Sequence, residues 1–149
     1  MEPVSKWMAT LPLFAAPDHF PILFHPLKEI TFPITEFLGV SLSGNWHFLI
    51  ITIILHSTAM VAEEFMWRGY LLPRQEKTYG KSAWLVNGLF WGYLLHFVLK
   101  WNFISFLPSM LVTPFIAQKT KNTWVSLLVH GIPNTLLWIL IFTGVMGIG

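Results

Sequence analysis

Trp46-His47-Phe48-Leu49-Ile50-Ile51-Thr52-Ile53-Ile54-Leu55-His56-Ser57-Thr58-Ala59-Met60-Val61-Ala62-Glu63-Glu64-Phe65-Met66-Trp67-Arg68-Gly69 is an apolar stretch that runs straight into two adjacent carboxylates and a guanidinium. No Asp, Glu, Lys or Arg lies between Glu36 and Glu63. The stretch reads as a membrane helix from about Trp46 to Leu72, ending near Pro73. An ionisable side chain inside such a helix costs roughly 2.5–3.5 kcal/mol on insertion scales, so it faces a partner or a polar cavity. A functional reading of the pair is therefore the default.

The rest of the chain agrees with a membrane protein. Charged residues make up 11% of the 149, against about 25% in soluble domains. Mean hydropathy is +0.61. Uncharged windows at 82–99, 101–118 and 122–149 approach the ~20 residues needed to cross a bilayer. The expectation is an all-α, polytopic transmembrane helix bundle of about four membrane helices. Its core spans 46–149 and follows a proline-rich, apolar, interfacial N-terminal arm over 1–45.

That arm holds Pro3, Pro12, Pro17, Pro21, Pro26 and Pro33, which forbids one continuous helix through it. Pro12 interrupts the apolar run from Lys6 to Ala16 and Pro17 follows the small residues, so signal cleavage is not expected. Beyond Pro73 the residues 74–81 read as a polar loop. Helices are expected over about 82–99, 103–118 and 124–142, the third carrying Pro108 and Pro114. Arg74, Lys77, Lys81, Lys119 and Lys121 then fall on one side, cytoplasmic by the positive-inside rule. The net charge of +2 is scattered at helix ends instead of forming a patch, which argues against a nucleic-acid partner. With no cysteine, thiol nucleophiles, thiolate metal ligands and disulfides are excluded.

Polar residues then recur at helical spacings. Glu64 and Arg68 are four apart, in the acid-before-base order that favours an ion pair. Glu63 projects about 100° away from Glu64. One carboxylate is thus expected to be neutralised and the other left for chemistry, with the spacing alone leaving open which is which. His130 and Asn134 share a face of the last helix, and their bland alternative is interhelical hydrogen bonding. His96 ends the second helix. His56, seven residues before Glu63, reads as a hydrogen-bonded packing residue.

Together, Glu63-Glu64-x-x-x-Arg68-Gly69, then His96 after an aromatic and small-residue run, then His130-x-x-x-Asn134 resemble the CPBP family of intramembrane proteases. That family includes CAAX prenyl endopeptidases and bacteriocin-processing or self-immunity proteins. The resemblance covers about residues 60–140. It implies peptide-bond hydrolysis within the bilayer, with membrane lipid and a peptide or prenylated protein as partners. Two departures stand out. Gly92 occupies the position, four before the second-motif His, where the family usually has Phe. Only the proline-rich arm precedes the Glu-Glu motif, where the family commonly has further helices.

Amide hydrolysis needs an activated water, a stabilised oxyanion and a proton for the leaving nitrogen. The resemblance offers Glu63 or Glu64 as the base, His96 as a second polariser of water or proton shuttle, His130 with Asn134 as oxyanion donors, and Arg68 to hold the unused glutamate ionised. A rival scheme places Zn on Glu63, His96 and His130 with water in the fourth position. The metal-free scheme is preferred. Two other classes compete: a non-catalytic membrane immunity or scaffold protein that retains the fold, and a small transporter or channel subunit with a proton-relay carboxylate. The transporter reading gives no reason for the His-x-x-x-Asn spacing.

Overall fold

The structure is a computed structural model describing residues 2–18, 20, 24–95 and 99–148. Helices dominate it. α1 (Glu2–Ala9) opens the chain, and α2 (Trp46–Glu64) passes through a π-helical segment (Phe65–Leu71) into α3 (Leu72–Tyr79). α4 (Ala83–Leu95), α5 (Phe103–Thr120) and α6 (Thr123–Met146) follow. α5 packs on both α4 and α6, while α2 packs along α6.

The helix expected to stop at Pro73 continues to Tyr79, so the loop expected over 74–81 is largely helical. The cause is the π segment. Leu72 N–H reaches back five residues to Trp67 O. The next α-helical stretch therefore starts afresh, and Pro73 falls in its first turn, where a missing N–H costs nothing. Arg74 Nη1 donates to Tyr70 O at 2.9 Å. The run ends at Gly80, whose φ of +53° suits a residue without Cβ.

Two helical stretches, Trp46–Leu94 and Thr123–Met146, are long and apolar enough to cross a bilayer among the described residues. The sequence leads one to expect about four. The difference lies in the second and third helices: α4 is described over 13 residues, Ala83–Leu95, and the end of its expected range lies outside the described residues. α5 has 18 residues and includes Pro108, Pro114 and Lys119. Spanning takes about 20. The outward face of the bundle is oily: Ile50, Ile51, Ile54 and Leu55 on α2, and Leu128, Ile132, Leu136 and Ile139 on α6, are exposed. Water would not tolerate a patch of that extent, whereas lipid does.

α4 and α5 approach closely at Gly88. Pro114 removes the N–H that would bond Met110 O four residues back. A Cβ at Gly88 would stand 2.6 Å from that same oxygen. Glycine thus admits a carbonyl that proline has freed.

The arm is more ordered than its prolines imply. Besides α1 it forms a hairpin of β1 (Glu36–Phe37) and β2 (Val40–Ser41), turned at Leu38 and Gly39, both with positive φ as a primed turn requires. Ile34, Phe37 and Leu42 pack on Leu49, Ile141 and Val145, where α2 begins and α6 ends. Met8 and Ala9 pack on Trp101, which joins α4 to α5 and donates from Nε1 to Phe24 O at 2.9 Å.

The two basic segments share one end of the bundle. Lys121 pairs with Glu76, and Gln118 bridges Gly80 O and Trp84 N–H.

Candidate hydrolytic site

The two neighbouring glutamates have different surroundings. Glu64, the last residue of α2, is wholly buried. Ser126 Oγ donates to its Oε2 at 2.7 Å, and His130 Nδ1 lies 3.0 Å from its Oε1. Arg68 Nη1 lies 3.3 Å from the same Oε1. Glu63 is half-buried and has no hydrogen-bond or ion-pair partner among the described residues. The rotation of 100° between consecutive helical residues accounts for this split, since only one of them can face α6 squarely.

Arg68 is 2% exposed and meets Glu64 as an ion pair, not through a well-aligned hydrogen bond. Its guanidinium lies over the Trp91 ring, 3.9 Å from the centroid. Arginine's weak hydration and planar cation suit that stacking. The Trp91 ring in turn meets the His130 ring edge to face, with centroids 5.0 Å apart. Glu64, Arg68, Trp91 and His130 thus form one closed cluster.

The π segment is pinned from α4. Asn87, fully buried, donates to Trp67 O at 2.9 Å and to Gln75 Oε1 at 2.8 Å. Trp67 O therefore serves both the π-helical Leu72 N–H and a side chain of the neighbouring helix. π segments are frequent at functional sites, and this one carries Arg68.

His130 and Asn134 lie on one face of α6, as their spacing predicts, and Asn134 Nδ2 donates to His130 O at 2.8 Å. The structure brings together Glu64, Arg68 and His130 directly, with Asn134 adjacent on α6 and Glu63 on the neighbouring face of α2. His96 lies outside the described residues. Ser126, Trp91 and Asn87 are cluster members that motif reading passed over. Their signal was periodicity: Ser126 stands four residues before His130, and Asn87 four before Trp91.

Gly92 also finds its explanation. A Cβ there would stand 1.9 Å from Met110 Sδ, so the thioether of buried Met110 fills the space that a side chain at 92 would need.

For zinc, among the described residues no three His, Cys, Asp or Glu side chains gather as a ligand set. Of the proposed ligands, His130 has its Nδ1 committed to Glu64, and Glu63 stands beside it without contact. The described part of that set does not make a metal centre.

Residues 45–136 match the family described as Type II CAAX prenyl endopeptidase Rce1-like, a span that contains all six motif residues. No curated protein matches the chain, and no solved structure does.

Proposed function

The chain belongs to the Type II CAAX prenyl endopeptidase Rce1-like family, and from that premise we propose that it is an intramembrane endopeptidase in which Glu63 is the general base and Glu64 its fixed neighbour. The family supports peptide hydrolysis in a membrane and a prenylated protein as substrate. The observation that carries the division of roles is the contrast between the glutamates: Glu64 has three partners and no exposure, while Glu63, partly exposed, has no hydrogen-bond or ion-pair partner among the described residues. A carboxylate already bonded on both oxygens is a poor acceptor for a water proton.

Charge balance sets the rest. Ionised Glu63 and Glu64 against Arg68 leave one negative charge, which a protonated His130 cancels. Glu64 stabilises that imidazolium through Nδ1, in the way a triad carboxylate holds its histidine. Nε2–H of His130, with the Asn134 amide, would then donate to the oxyanion as it forms. Water loses a proton to Glu63 while its oxygen bonds the carbonyl carbon. Collapse of the tetrahedral intermediate breaks the C–N bond, and the proton on Glu63 passes to the leaving amine. His96 fits the part of a second polariser of water. The substrate is a membrane peptide or protein with a prenylated C-terminal CAAX segment, and the basic end of the bundle faces the cytoplasm.

The test is release of the C-terminal fragment from a prenylated CAAX peptide by protein in nanodiscs, followed by mass spectrometry, with and without a chelator. Glu63→Gln should lower kcat at least 100-fold at unchanged thermal stability, in line with loss of a general base. Full activity of Glu63→Gln overturns the assignment. Loss of activity on chelation, restored by Zn, would replace it with the metal scheme.

A further inference from the structure

α2 and α6 run antiparallel, and their contacts form a ladder. Ser126 and His130 meet Glu64 at one level, and Trp138 meets His56 at another. On α6 the rungs Ser126, His130, Asn134 and Trp138 recur every four residues, which keeps them on one slowly drifting face. The sequence alone gives His56 no role beyond packing. Its surroundings say more.

Trp138 Nε1 donates to His56 Nδ1 at 3.0 Å, and the rings meet edge to face at 89°. A ring nitrogen that accepts carries no proton, so in the neutral imidazole the proton sits on Nε2. Trp138 therefore fixes both the ring plane and the tautomer. Nε2–H is left as a donor with no hydrogen-bond partner among the described residues, and the half-buried ring is not sealed from its surroundings. Seven residues, close to two full turns, separate His56 from Glu63, so the ring lies on nearly the same face of α2 as that carboxylate. Packing two helices in lipid does not call for a polar ring with an idle donor.

We propose that His56 is a substrate-binding residue whose Nε2–H receives the terminal carboxylate of the CAAX segment. The proposal rests on the hydrolytic reading above, and helix geometry supplies the register. Seven residues of α-helix rise about 10.5 Å from His56 to Glu63. An extended peptide covers that distance in about three residues at ~3.3 Å each. A CAAX end has three residues beyond its cysteine. With the scissile bond at Glu63 and the peptide laid along the α2–α6 face, its last carboxylate reaches the level of His56.

Binding needs no turnover, so it can be read on the Glu63→Gln protein in nanodiscs by fluorescence anisotropy. The probes are a prenylated CAAX tetrapeptide as its free acid and as its C-terminal amide. A charged acceptor makes roughly twice as strong a hydrogen bond as a neutral one. The acid should bind about tenfold more tightly than the amide, and His56→Phe should erase that preference. His56→Gln, which keeps an N–H donor, should recover most of it. Trp138→Phe leaves His56 in place but releases its tautomer, and should lower the preference at least threefold.

A preference that persists in His56→Phe, or none in the parent protein, overturns the proposal. A loss shared equally by acid and amide overturns the carboxylate in favour of a main-chain carbonyl of a longer peptide. Unchanged preference in Trp138→Phe overturns the tautomer argument. These outcomes are separate from the cleavage test: a probe cleaved by Glu63→Gln refutes the hydrolytic reading, whereas an intact probe bound without an acid preference refutes the His56 assignment alone.

Discussion

Glu64→Gln should unfold the protein far more readily than Glu63→Gln, although the two substitutions are chemically identical and adjacent. Glu64 is 0% exposed, and its carboxylate faces Ser126, His130 and the wholly buried side chain of Arg68. An amide retains hydrogen bonds with Ser126 and His130 but no charge, so buried Arg68 loses its ion-pair partner and keeps only the more distant Glu63 charge. Removing one partner of a buried pair costs about 3–5 kcal/mol. The Trp91 ring, 3.9 Å from the guanidinium, returns part of this through its π face, about 1–2 kcal/mol. A net loss of about 1–4 kcal/mol remains. For a chain of this size that lowers the melting temperature by about 2–16 °C, using about 2–4 °C per kcal/mol. Glu63 has no hydrogen-bond or ion-pair partner to lose among the described residues, and its replacement should fall within about 0.5 kcal/mol of the parent. The assay is thermal unfolding in nanodiscs followed by tryptophan fluorescence. Equal melting of the two variants, or a larger fall for Glu63→Gln, refutes the assignment of roles to the pair.

Three further outcomes follow from particular contacts. Gly88→Ala places a Cβ 2.6 Å from the backbone oxygen of Met110, which cannot swing aside, so the α4–α5 pair should lose about 1–3 kcal/mol as overpacked cores do, read in the same melts. Ser126→Ala removes a 2.7 Å donor to a carboxylate and should cost about 1.5–3 kcal/mol, with a cleavage rate that falls less than in His130→Ala. In the arm, burial first and the Lys28 charge second hold the His25 imidazole below its ordinary value, against an opposing pull from Asp18. The unfolded ring takes its proton near pH 6.5 and the folded ring only below that. The arm's docking is therefore complete above about pH 6.5 and weakens as pH falls beneath it. Trp101, buried beside the arm with its Nε1 on Phe24 O, should report this as a red shift that His25→Asn abolishes.

What could be read from the chain, and what could not, divides along physical lines. The run from Trp46 into Glu63 announces a membrane helix because charge is absent where it would be costly, and α2 occupies those residues. His130 and Asn134 fall on one face because four residues nearly complete a turn. The continuation past Pro73 was not legible: a backbone bond from Leu72 to Trp67 leaves no mark on composition, yet it resets where a proline is harmless. Nor was the ordering of the arm, whose stability comes from Ile34, Phe37 and Leu42 meeting residues about a hundred positions later. Telling Glu63 from Glu64 required knowing which of them faces Ser126, a matter of how α6 sits against α2.

The π segment has a consequence for insertions and deletions. A π turn amounts to an α-helix with one residue too many, so deleting a residue between Phe65 and Trp67 would let the helix close into regular α geometry without breaking the chain's path. Such a deletion, ruinous in the middle of most helices, would be absorbed here. Its effect would be confined to the turn: the segments beyond Leu71 would keep their phase, while Arg68 came to stand three residues from Glu64 instead of four. The bundle would survive the shortening while the guanidinium pointed elsewhere, which makes these three positions a natural place to find, or to engineer, a folded chain of this kind that no longer holds its second glutamate.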